Sequence, residues 1–181
     1  MQRIVQQNRP LALVGLSGAG KSTVARALAA RLAVPALDTD AHLAERAGMP
    51  VAAIFATLGE AHFRELEAAA LAEALADGPR VVATGGGVVL REQNRALLRE
   101  RAFVVWLDAP DAALLARLRA HAEQRPLLAG DAAARLAALR AARAPLYAQV
   151  ANLTLPTDEL APAALAERIL VAYGAYRTDV L

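Results

Sequence analysis

The stretch Gly15-Leu16-Ser17-Gly18-Ala19-Gly20-Lys21-Ser22 follows the apolar run Leu11-Ala12-Leu13-Val14 and leads into an amphipathic pattern from Lys21 to Leu32. It fits G-x-x-x-x-G-K-[ST] in full, and its context predicts strand, loop and helix in that order. The glycines let the backbone curl so that its N–H groups point inward at phosphate oxygens. The helix that follows adds its positive N-terminal end. In such a loop Lys21 reaches the β- and γ-phosphates and the Ser22 hydroxyl ligates Mg²⁺. Gly18, Ala19, Gly20, Lys21, Ser22 and Thr23 are therefore candidate ATP contacts. The bland alternative is a glycine turn between strand and helix. The motif names nucleotide binding and nothing beyond it.

Working outward, apolar runs alternate with helical patterns, which predicts an α/β fold with a parallel sheet. Strands are expected at Leu11 to Gly15, Val34 to Leu37, Arg80 to Thr84, Phe103 to Leu107 and Leu153 to Leu155. Helical patterns fill Ala41 to Ala76, with breaks near Gly48-Met49-Pro50 and Leu58-Gly59. Further helices are expected from Glu92 to Arg99, from an Asp111 N-cap to Arg119, from Asp131 towards Tyr147, and from Pro162 onward. His121 to Gly130 reads as a loop. Five mostly buried strands with helices on both faces place ligands at the carboxyl ends of the strands.

The chain has 181 residues, enough for one domain with a single core. It has no cysteine, which removes disulfides and thiolate metal sites and suits a cytoplasmic setting. No signal peptide and no membrane span are expected. The net charge of +2 and 4% aromatic content do not suggest a nucleic-acid partner. Of the 20 basic residues, 19 are arginine and only Lys21 is lysine. A chain so biased to arginine keeps lysine where a compact ammonium is needed rather than a planar fork.

Asp38 and Asp40 close the second strand. Alternate residues of an extended chain share a face, so both carboxylates could turn to the phosphate site. One would hold Mg²⁺ and the other accept a proton from an attacking hydroxyl. The competing reading makes Asp40 or Thr39 the cap of a helix starting at Ala41. Gly85-Gly86-Gly87 after the third strand admits close approach to main-chain N–H groups, or is a tight turn. No acidic residue ends that strand, which leaves Asp38 as the metal's carboxylate.

Several arginines could hold an anion. Arg64 and Glu67 are three apart on one helix face, a spacing that usually marks an exposed surface pair. The alternative is that Glu67 orients Arg64 towards a carboxylate. Arg125, in the 121–130 loop, could close over a γ-phosphate, and Arg143 presents the same choice between ligand and solvent. Arg117 and Arg119 could stack on adenine or face water. His42, His62 and His121 have no metal-ligand spacing, and Trp106 is expected to pack in the core.

Together the segments GLSGAGKST, LDTD, IFATLGEAHFRELE, TGGG, RPLL and RAPLY resemble the shikimate kinase family, in order, from about Leu11 to Tyr147. The resemblance implies a five-stranded parallel sheet of order 2-3-1-4-5. The acceptor region would span about 40–75 and a lid about 121–131. It implies ATP-dependent phosphorylation of the 3-hydroxyl of shikimate. Ser22 and Asp38 would serve Mg²⁺, while Lys21, Asp40 and Arg125 would be catalytic. Arg64 and Arg143 would grip the acceptor carboxylate beside Gly85, Gly86 and Gly87. Glu67 would support that segment, Phe55 and Phe63 would line it, and Arg117 would fall near adenine. A monomer is expected. A gluconate-type kinase is the nearest alternative enzyme. A ligand-sensing domain without turnover is the alternative of another class. The segment before the first strand is too short for a DNA-binding module, and Asp40 and Arg64 are both present, which disfavours a sensor. A nucleotide-binding domain with no acceptor leaves Asp40 and the three glycines unexplained.

Overall fold

The computed structural model describes residues 9–76, 78–120 and 131–178. The strands are β1 (Leu11–Val14), β2 (Ala36–Asp38), β3 (Val81–Ala83), β4 (Phe103–Asp108) and β5 (Leu153–Pro156). The helices are α1 (Lys21–Leu32), α2 (Thr39–Ala47), α3 (Val51–Ala76), α4 (Glu92–Arg101), α5 (Asp111–Ala120), α6 (Ala132–Val150) and α7 (Pro162–Thr178). All pairings are parallel, in the order β2-β3-β1-β4-β5, as the resemblance implied. Every residue of β1 and β3 is buried, which suits strands covered by helices on both faces. Helix α1 packs on β1, β2 and β3 and against α7, while α4 and α6 pack on each other and on β4.

The order fixes where chemistry can happen. The connection leaving β1 runs to β2 on one side, and that leaving β3 runs to β4 on the other. β1 and β3 are neighbours, so the switch point lies between them. The loop Gly15–Gly20 and the turn Gly85–Gly87 emerge there side by side. A second, smaller apolar cluster of Leu43, Ile54 and Phe63 ties α2 to α3 outside the main core.

Most boundaries match the sequence reading, and three do not. β2 begins two residues later than expected and runs through Asp38. The helix after it starts at Thr39, and its cap is Asp38, not Asp40 or Thr39. The Asp38 carboxylate accepts from the N–H groups of Asp40 and Ala41. Asp111 does not cap α5 but lies inside its first turn, where its carboxylate accepts from Arg140 Nε at 2.5 Å. The Pro110 carbonyl accepts from Leu114 N–H, the first i to i−4 bond of that helix. Asp131 does cap α6, through Ala134 N–H, and Pro162 opens α7. The expected breaks fall at Gly48, which ends α2, and at Gly59, a non-helical residue within α3.

Candidate active site

The loop after β1 bends through Gly15, Gly18 and Gly20, all with positive φ. A side chain on Gly15 would meet the Leu107 carbonyl oxygen of β4 at 2.4 Å, so this glycine is also a packing requirement. Gly20 precedes α1 and no side chain caps the helix, which leaves its first N–H groups for an anion. Lys21 is nearly buried, and its ammonium donates to the carbonyls of Gly15 at 2.8 Å and Leu16 at 2.9 Å. The charge is thereby held inside the curl of its own loop.

Asp38 is fixed at both carboxylate oxygens. Oδ1 caps α2, and Oδ2 accepts from Ser22 Oγ at 2.5 Å. Two hard oxygen donors thus meet beside the loop, a set that fits Mg²⁺ completing its shell with water and phosphate. No cluster of three His, Cys, Asp or Glu able to hold a metal exists among the described residues. His42 instead contacts Glu73, and His62 lies by Glu65. His121 lies outside the described residues.

A cavity of about 570 Å³ runs from Ser17–Val24 past Asp38 and Asp40 to Arg117, Thr157, Leu160 and Pro162. Arg117 is half-buried on the wall of this cavity. Its guanidinium donates to the Gly18 carbonyl at 3.3 Å, to Thr157 Oγ at 3.1 Å and to the Thr157 carbonyl at 2.7 Å. Thr157, a lone threonine in the segment after β5, carries no motif that marks it as a site residue. Arg119 does not line this cavity.

A second cavity, of about 540 Å³, is lined by Val51, Phe55, Phe63, Arg64, Glu67, Gly85, Gly86, Gly87, Leu139 and Arg143, together with Asp40 and Ser17. Asp40, Gly86 and Ser17 line both cavities. Asp40 therefore stands between a phosphate-binding space and a space with arginines. It does so from the first turn of α2 and not, as expected, from an extended strand.

The Arg64–Glu67 pair is the clearest departure from spacing alone. It is not a surface pair: Glu67 is 2% exposed and the Arg64 side chain 12%. Arg64 donates to Glu67 at 2.8 Å and to the exposed Glu60 at 3.1 Å. Burial raises the Glu67 carboxyl above its usual range despite the Arg64 bond and the charge of Arg143, and the charge of Asp40 adds to the rise. For Arg64, burial works against the charge, but the bonds and charges of Glu67 and Glu60 raise it further. The Arg64 guanidinium also lies over the rings of Phe55 and Phe63, at 5.6 and 5.2 Å.

The three glycines have a packing role as well. None has positive φ. At Gly85 and Gly87, side chains of the site fill the space where a Cβ would sit, while a Cβ on Gly86 would make only ordinary contacts. At Gly85 a Cβ would lie 2.5 Å from Asp40 Oδ1 and 2.8 Å from Glu67 Oε1, and at Gly87 2.2 Å from an Arg64 nitrogen. The turn is small so that charged side chains can close in on it. Arg125 and the lid lie outside the described residues, apart from Asp131.

The family model described as shikimate kinase matches residues 17–173. The chain belongs to the shikimate kinase family. A shikimate kinase of Nitrobacter winogradskyi is 49% identical over 152 residues, covering 84% of this chain and 71% of that protein. One of Thermobifida fusca is 49% identical over 164 residues, covering 90% and 94%. The solved structure of the shikimate kinase from Acinetobacter baumannii in complex with shikimate has a TM-score of 0.89 at 35% identity, covering 97% of this chain and 98% of that one. A gluconokinase from Sinorhizobium meliloti, with a TM-score of 0.62 at 19% identity, shares the fold alone. The gluconate-type alternative thus has likeness of fold and nothing closer.

Proposed function

We propose that the chain transfers the γ-phosphoryl group of ATP to the 3-hydroxyl of shikimate, forming shikimate 3-phosphate and ADP. The observation that carries this reading is the position of Asp40 on the shared wall of the two cavities. One cavity holds the phosphate loop. The other offers Arg64 and Arg143 for a carboxylate and Phe55 and Phe63 for the face of a ring. An acceptor with a carboxylate and a hydroxyl would present that hydroxyl to Asp40.

In this reading the acceptor 3-oxygen forms the new P–O bond, the bond from the γ-phosphorus to ADP breaks, and the hydroxyl proton passes to Asp40. Lys21 and the N–H groups of the loop neutralise the phosphates. Ser22 and Asp38 would hold Mg²⁺, which when bound offsets charge on the β- and γ-phosphates. Arg117, held by Gly18 and Thr157, would pack against adenine, and Arg125 would cover the γ-phosphate. Turnover as a monomer in the cytoplasm belongs to the same proposal. Among the described residues no helix is long and apolar enough to cross a membrane.

The test is ADP release from Mg-ATP with shikimate, with gluconate and with no acceptor. Release with shikimate alone is expected. Release with gluconate would overturn the acceptor, and ATP binding without release would favour a sensor. Asp40→Asn should cut turnover far more than ATP affinity. A variant with full turnover would remove Asp40 from the mechanism.

A further inference from the structure

The backbone of the glycine turn can be accounted for group by group. Gly85 N–H donates to Thr39 Oγ at 3.1 Å. The Gly85 carbonyl accepts from Val88 N–H, and the Gly87 carbonyl from Leu90 N–H. The Gly86 carbonyl accepts from the Tyr147 hydroxyl at 2.5 Å, across 61 positions of sequence. Among the described residues, the N–H groups of Gly86 and Gly87 have no acceptor. Both glycines line the acceptor cavity.

The Gly86 carbonyl and the Gly87 N–H belong to one peptide plane. The chain has no cis peptide among its described residues, so the two groups point in opposite directions. Whatever fixes the carbonyl fixes the direction of the amide. The preceding peptide is held by the local turn bond to Val88. This one lies between two glycines, which offer no side chain to resist its rotation. Tyr147 supplies the restraint. It is 1% exposed, its ring packs against Trp106 with centroids 5.8 Å apart, and the charge of Arg143 acts on its phenol. Burial pushes the phenol up to about 12, so it remains a donor throughout the working range.

We propose that Tyr147 is a positioning residue for the acceptor: through the Gly86 carbonyl, its hydroxyl aims the Gly87 N–H into the cavity, towards an oxygen of the bound hydroxy acid. The proposal deepens the functional reading above and rests on it.

The experiment is steady-state kinetics of Tyr147→Phe, with Trp106→Phe as a second variant that disturbs the packing of the ring but keeps its hydroxyl. Tyr147→Phe should raise KM for shikimate roughly tenfold, the size of one directed hydrogen bond with its buried carbonyl left unpaired. KM for ATP should not change. Trp106→Phe should lower the melting temperature and leave both KM values alone. An unchanged shikimate KM in Tyr147→Phe would overturn the proposal. So would equal rises in both KM values, or a Trp106→Phe variant with the same shikimate defect. Wild-type protein inactive with shikimate would defeat the functional reading itself, and this proposal with it.

Discussion

Phe55 and Phe63 stack with ring centroids 4.2 Å apart although both belong to α3 and lie eight positions apart. Eight residues of straight α-helix rise about 12 Å, so an unbroken helix would keep these rings apart. Gly59, midway between them at φ 78 and ψ 166, folds the chain back. The two rings then form one surface under the Arg64 guanidinium. The kink thus assembles apolar and cationic parts of the second cavity's wall at one place.

Gly59→Ala tests this dependence. The glycine's φ and ψ lie in a region essentially closed to other residues, with a strain of about 1–3 kcal/mol. A Cβ there would meet nothing within 4 Å, so the penalty is torsional and not a clash. The variant should melt earlier and bind shikimate several-fold more weakly, with ATP affinity retained. Calorimetric titration of each ligand reads the difference. Equal shikimate affinity would show that the kink does not set the wall.

Gly85→Ala should be more damaging than its chemistry suggests. The added methyl would overlap the Asp40 and Glu67 carboxylates. Both are confined: Glu67 is buried and tied to Arg64, and Asp40 lies in the first turn of α2. Turnover should fall by roughly a hundredfold or more, the scale expected when a reacting group is misplaced by about 1 Å. Nucleotide binding should persist, because the loop after β1 is untouched. Parallel losses of ATP affinity and turnover would contradict this account.

Lys21→Arg preserves charge and alters shape. The ammonium sits between the carbonyls of Gly15 and Leu16, inside the loop. A guanidinium is wider and planar, and cannot occupy that position without moving the loop. KM for ATP should rise about ten- to hundredfold, as for loss of a charge-assisted hydrogen bond. Full activity would refute the reading of the chain's single lysine.

The sheet, the loop after β1 and the breaks in the helical region were legible because each has a local cause, an apolar run or a glycine of positive φ. Gly59 stood out in the sequence for the same reason. The Arg64–Glu67 pair was misjudged on spacing, because burial depends on α3 folding back over the glycine turn, which no local pattern records. Thr157 and Tyr147 were invisible as site residues. Their partners, Arg117 and Gly86, lie 40 and 61 positions away, and only the parallel sheet brings them together. The resemblance implied roles for Arg64 and Arg143 that spacing left open. Geometry supplied a packing reason for the small residues at 85 and 87.

Alkaline pH should weaken the fold through Tyr147. The Tyr147 phenol is raised from 10 to about 12, chiefly by burial. Arg143 opposes that rise by charge and hydrogen bond, and the charge of Glu67 adds to it. The folded chain therefore holds this proton more tightly than the unfolded chain does. The associated stability is fully present below about pH 10 and is lost as pH climbs through about 12. Two units correspond to at most about 3 kcal/mol. Tyr147→Phe has no proton to lose, so its stability should decline less between about pH 9 and about pH 11.5. Urea unfolding of both proteins at these two values measures the difference in slope. Parallel declines would mean that the phenol ionises in the fold as it does in water, and that its bond to Gly86 is not maintained by burial.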